Sequence, residues 1–223
     1  MKIRLLGLLI VLLIPAVAQS EPPAKKDEQA IQVRLLAEHA PDNLDNVLMR
    51  FSNNTQSSGI VLPTNQLSNP ILCTSRQMLL QTEEKGIPLC QITLPDQGKT
   101  FAVVLVTAKP SGYSPIIVRT DDPDFGAGDF YFINRSDQTV LGKLGETPLV
   151  LQTGSSAKSR PSQPVDNAYY NIAFAIREPS GDRLIRSTRW PIGNHSRSYI
   201  FFFNDRDGNV TFRAVDEFLP PQP

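Results

Sequence analysis

Apolar residues recur in this chain with a period of two. The pattern is clearest from Gly128 to Leu151, which reads GDFYFINRSDQTVLGKLGETPLVL. Period two is the signature of a β-strand, whose successive side chains point to opposite faces. Phe130, Phe132 and Asn134 therefore share one face, and Tyr131 and Ile133 share the other. Apolar residues on both faces predict a strand covered on both sides. A polar turn, a second strand, a glycine turn and a third strand complete the stretch.

The remainder of the chain follows the same rule. Strands are predicted at 31–37, 47–52, 59–62, 71–81, 87–94, 101–107 and 116–120 in the first half. In the second half they fall at 129–135, 139–144, 149–153, 169–178, 183–190, 198–203 and 210–215. The connectors, among them NNTQSS, TEEKG and PDQGK, have turn-forming compositions. Proline is abundant, at 19 residues, which disfavours helices, and no window carries a convincing helical stripe. The expected fold class is all-β.

The two halves resemble one another. Leu94-Pro95 matches Trp190-Pro191, Phe101–Val106 matches Tyr199–Phe203, and Ile117-Val118-Arg119 matches Thr211-Phe212-Arg213. Upstream, Phe51-Ser52-Asn53-Asn54 resembles Phe132-Ile133-Asn134-Arg135. A duplication would give each half about seven strands in about 100 residues, the size of an immunoglobulin-like sandwich. Two such sandwiches in tandem, over 30–121 and 125–218, are the expected architecture; one larger sandwich is the alternative. The Cys…Trp…Cys pattern of true immunoglobulin domains is missing.

The start of the chain reads as an export signal. Lys2 and Arg4 precede an apolar run from Leu5 to Ile14, and Ala16-Val17-Ala18 supplies small residues for cleavage. Residues 1–18 are expected to be a signal peptide and 19–29 a disordered polar leader. The product is expected to be periplasmic or secreted. No later segment reaches the run of about 18 apolar residues that spans a bilayer. Lys+Arg and Asp+Glu both number 22, so there is no basic field for nucleic acid.

Few residues point to chemistry. Cys73 and Cys90 are the only cysteines. In an exported protein they are expected to form a bridge between neighbouring strands, stabilising by about 3 kcal/mol. With only His39 and His195 beside them, a zinc site is not expected. Asp121, Asp122, Asp124 and Asp129 crowd the junction between the halves. They could supply oxygen ligands to Ca²⁺, against the simpler reading of a solvated linker. No other cofactor is expected. Asp207-Gly208 suits a hairpin turn. There is no nucleophile elbow and no phosphate loop, so no catalytic residue is assigned. Pro148 marks Leu149, Val150 and Leu151 as a candidate edge strand open to a partner. Trp190 and Tyr199 are candidate aromatic contacts.

The pattern Gly128, Phe130, Phe132, Asn134, then Gly142, Leu144, Gly145, then Ser187, Trp190, Arg197 and Tyr199 resembles a family of small exported bacterial β-sandwich proteins. The resemblance covers mainly the second half; it implies export and an all-β fold, and carries no activity. Two sandwiches behind a signal peptide are also similar in architecture to periplasmic pilus chaperones, but the Arg/Lys pair with which those anchor a subunit has no counterpart here. The function expected is that of a non-enzymatic envelope protein binding another envelope protein or a glycan. The alternatives are a carbohydrate-active hydrolase working through paired carboxylates and a chaperone-like assembly factor.

Overall fold

The computed structural model describes residues 30–108, 110–205 and 207–220. The signal peptide and leader expected over 1–29 lie outside the described residues.

The described chain is all-β. The first half supplies β1 (Ile31–Ala37), β2 (Val47–Phe51), β3 (Ile71–Cys73), β4 (Gln77–Thr82), β5 (Pro88–Thr93), β6 (Thr100–Thr107) and β7 (Tyr113–Arg119). The second supplies β8 (Phe130–Asn134), β9 (Val140–Leu144), β10 (Thr147–Leu151), β11 (Ser156–Ser159), β12 (Tyr169–Glu178), β13 (Gly181–Pro191), β14 (Ser196–Asn204) and β15 (Val210–Phe218). They form four sheets: sheet I in the order β2-β4-β5, sheet II β3-β1-β6-β7, sheet III β11-β8-β14-β15 and sheet IV β10-β9-β12-β13.

Alternation along the strands stacks these sheets. In β1, Val33, Leu35 and Ala37 face sheet I and meet Met49, Phe51 and Leu80, whereas Leu36 faces the other way. In β8, Phe130 and Phe132 face sheet IV and meet Phe174 and Ile176, while Ile133 faces sheet II. Sheets II and III thus pack against each other as well as against their outer partners, with Ala102, Val104, Val118, Tyr199, Phe201 and Val215 at the central contact. β8 is covered on both sides, as its sequence predicts, and so are β1, β6 and β14.

The halves share one plan. In sheet II, β3 runs antiparallel to β1, β1 parallel to β6, and β6 antiparallel to β7. In sheet III, β11, β8, β14 and β15 repeat that order and those directions. The sequence match of β6 with β14 is one residue out of register: Phe101 faces sheet I, but Tyr199 faces the central contact. The match of Phe51 with Phe132 fails as well, because β8 is the counterpart of β1 rather than of β2. The first half has the four-plus-three split of an immunoglobulin-like sandwich. Its strand order differs, since β1 joins β3 and β6 rather than β2.

Two local expectations are corrected, and one strand was not expected. The stretch predicted as one strand over 71–81 breaks at Thr74–Arg76 into β3 and β4, which enter different sheets. Residues 59–62 form no strand and contribute only an isolated bridge, Val47 to Ile60. The short polar strand β11, SAKS, has no apolar alternation to reveal it.

The cysteines are not on neighbouring strands: Cys73 belongs to sheet II and Cys90 to sheet I, both border the core between those sheets, and both are free thiols. Burial pushes each thiol from 9.0 up to about 12. The reactive thiolate is therefore scarce at neutral pH. Iodoacetamide at pH 8 should modify both cysteines slowly in the folded protein and rapidly in urea, as followed by mass spectrometry. Equal rates in the two states would contradict this burial.

Candidate functional site

The core of the second half does not close at one end. Along β14, Ser196, Ser198, Ile200 and Phe202 take the face toward sheet IV, so two small hydroxyl residues stand where bulky ones continue further in. Opposite them on β15 lie Phe218 and Asp216, and beside Ser198 on β8 lies Phe130. Trp190, near the end of β13, covers this corner from sheet IV and meets the Phe130 ring edge-on at 5.5 Å. The result is a cleft of 260 Å³ whose lining includes Gly128, Phe130, Trp190, Gly193, Ser198, Asp216 and Phe218. Gly128 takes a positive φ of 82° at its rim, where a side chain would be strained.

The two carboxylates of the cleft are in different states. Asp129 is buried and forms a two-point ion pair with Arg160, Oδ1 to Nε at 2.6 Å and Oδ2 to Nη2 at 3.0 Å; Oδ2 also accepts the Gly126 N–H at 2.6 Å. Asp216 is exposed, and its Oδ1 accepts the Ser198 hydroxyl at 2.5 Å. Asp216 and Phe218 are site residues that the sequence reading did not single out. The available signal was the Ser-x-Ser entry to β14, which puts small residues on a core-facing row.

The four aspartates at the junction do not converge. Asp121 accepts from Arg119 at 2.7 Å and from the Lys99 N–H, and Asp122 pairs with Lys158 at 2.6 Å. Asp124 is exposed, and Asp129 serves Arg160. Burial alone would raise the Asp121 carboxyl, but Arg119 and the Lys99 N–H hold it below the usual range; Lys158 does the same for Asp122. Among the described residues, no group of three or more His, Cys, Asp or Glu side chains is placed to hold a metal ion. The calcium reading is corrected on this geometry: each engaged carboxylate is turned toward its own cation.

Tyr199 is also corrected. It is fully buried at the contact of sheets II and III, and its hydroxyl donates to Glu217 Oε2 at 2.8 Å. Arg197 Nε donates to the same oxygen at 2.7 Å, and its Nη1 reaches the carbonyls of Thr120 and Phe125. Arg34 of β1 completes the set at Glu217 Oε1, 3.2 Å away. This network ties β14 and β15 to the connecting segment and to sheet II, and it leaves Tyr199 no surface to offer a ligand.

Leu149, Val150 and Leu151 lie on β10, at the end of sheet IV. Leu149 and Leu151 enter the core, and Val150 is 57% exposed. In the first half, residues 56–60 flank β2 without forming a strand, through two isolated bridges, Arg50 to Gln56 and Val47 to Ile60, and through hydrogen bonds between Ser57 and Met49. In the second half the equivalent position is a regular strand. Register places Val150 beside Leu141, Leu141 beside Ala175 and Ala175 beside Leu184. One apolar row thus crosses all four strands on the outer face of sheet IV, ending in Leu184 at 61% exposure.

Among the described residues, no helix is long and apolar enough to cross a membrane. No protein-family model matches the chain, and no curated protein matches it.

Proposed function

We propose that this is an exported, non-enzymatic binding module of the cell envelope, and that its partner is a protein docking on the outer face of sheet IV beside the β10 edge. The observation that carries this reading is the row Val150, Leu141, Ala175 and Leu184. The solvent face of an antiparallel sheet is ordinarily polar, and a contiguous apolar patch on it marks an interaction surface. The row is aliphatic throughout, which suits a protein partner better than a sugar ring, whose faces stack on aromatics. β10 is the end strand of sheet IV, and an edge strand can accept a partner strand, although Pro148 withholds one donor.

The hydrolase alternative draws less support. A glycosidase needs two carboxylates free to act as acid and as base or nucleophile. In the Trp190 cleft both oxygens of Asp129 are engaged by Arg160. The test is affinity capture from an envelope extract, comparing the parent chain with Val150→Asp and Leu184→Asp. Both sites are exposed, so the variants should fold. The parent should retain a protein that both variants release. Retention by both variants, or turnover of a polysaccharide by the pure parent, would refute the proposal.

A further inference from the structure

We infer that the Trp190 cleft binds an organic cation, an ammonium or guanidinium group carried on an apolar stem. The site lies at the open end of the core between sheets III and IV, away from the row on the outer face, so the two readings fail independently.

Three properties of the cleft lead here. It is ringed by aromatic side chains: Phe130 is buried at its base, Trp190 is half-buried on its wall, and Phe218 stands 79% exposed at its mouth. An exposed Phe beside a Trp over an open volume has faces that no other side chain covers fully, and such faces attract cations.

Its charge is unbalanced. The lining carries two carboxylates and no Lys, Arg or His. Arg160 neutralises Asp129, whereas among the described residues no basic side chain pairs with Asp216. The Ser198 hydroxyl fixes one Asp216 oxygen at 2.5 Å, which orients the carboxylate and leaves the other oxygen to accept from a ligand.

Its size is also restrictive. A volume of 260 Å³ admits one side-chain-sized group rather than a chain of sugar rings. A cation with a short apolar stem satisfies both halves of the lining: the stem lies against the rings and the charge meets Asp216. A neutral saccharide would leave that carboxylate's charge uncompensated.

Trp190 is the chain's only tryptophan, so its emission reports on this cleft alone. The pure protein is titrated with N-acetyl-arginine amide and with N-acetyl-lysine methylamide. Sodium chloride at matched ionic strength and N-acetylglucosamine serve as controls. The expected result is a saturable change with one or both cations and none with either control. Asp216→Asn keeps the acceptor for Ser198 but removes the charge, and should weaken the response about tenfold or more. Phe218→Ala should weaken it as well, with unchanged circular dichroism in both variants. A response absent for both cations, undiminished in Asp216→Asn, or saturating with the neutral sugar overturns the inference. None of these results bears on capture at sheet IV.

Discussion

Replacing Glu217 with Ala should cost about 3–5 kcal/mol of unfolding free energy, among the largest effects of any single substitution in this chain. Glu217 is 7% exposed and accepts from Arg197, Tyr199 and Arg34 together. Without it the Arg197 guanidinium, 4% exposed, remains buried with carbonyl acceptors but no counter-charge. Leaving a buried charge unpaired costs far more than the pair itself contributes. Arg34 is the internal control: its side chain is 35% exposed, so water replaces much of its pairing. Arg34→Ala should cost about 1 kcal/mol or less through the charge interaction. Urea midpoints at pH 7 decide the matter, and a Glu217→Ala midpoint as close to the parent as that of Arg34→Ala would refute the assignment. The same network sets an alkaline limit. Burial and the Glu217 carboxylate push the Tyr199 phenol well above its ordinary 10.0. The fold therefore favours the protonated form. That contribution is complete below pH 10 and is lost as pH rises from there through the folded value.

Period-two alternation was enough to read the class of fold and most strands, because each strand of a stacked sheet must divide its side chains between two environments. It was enough even to find β8 as a strand covered twice. It could not reveal β11, whose polar residues are held by pairing with β8 rather than by burial. The break at Thr74–Arg76 did leave a signal: Thr74-Ser75-Arg76-Gln77 is a polar run between the apolar triplets Ile71–Cys73 and Met78–Leu80, and there the chain changes sheets. The expected bridge between neighbouring strands fails because the two cysteines lie in different sheets. Composition also could not say where charges point: four aspartates in nine residues read as a ligand set, and the fold turns three of them to Arg119, Lys158 and Arg160.

The residues that carry the family resemblance are mostly structural. Phe130 and Phe132 fill the core. Asn134 is fully buried; it donates to the carbonyls of Gln138 and Leu151 and accepts from Ser136, so it organises the turn after β8. A Cβ on Gly142 would press on Leu149 and Phe174. Arg197 and Tyr199 belong to the Glu217 network. Gly128, Phe130 and Trp190 border an open cleft, and there the sequence came nearest to a site. Its partners Asp216 and Phe218 were missed because they sit at the end of β15, where a polar and an exposed residue read as the strand fraying out.

Gly145 gives the sharpest test of how backbone packing, rather than side-chain chemistry, fixes a motif. It sits between β9 and β10 with φ at 61°, donates its N–H to the Asn171 carbonyl at 2.8 Å and bridges to Ser162. A Cβ at this position would overlap the Ser162 carbonyl oxygen, a backbone atom that cannot rotate away. Gly145→Ala therefore has to break the bridge or move β10. Its cost should be about 3 kcal/mol or more, in the upper tail of single substitutions. Gly154 separates the two contributions. Its φ is 76°, but nothing lies within 4 Å of an added Cβ. Gly154→Ala should show the left-handed backbone penalty alone, about 1–2 kcal/mol. Urea midpoints of the two variants test this directly. Equal losses would mean that backbone conformation, not the approach of Ser162, is what requires glycine after β9. A larger loss at Gly145, accompanied by weaker amide-exchange protection along β10, would place the requirement in the packing of that edge.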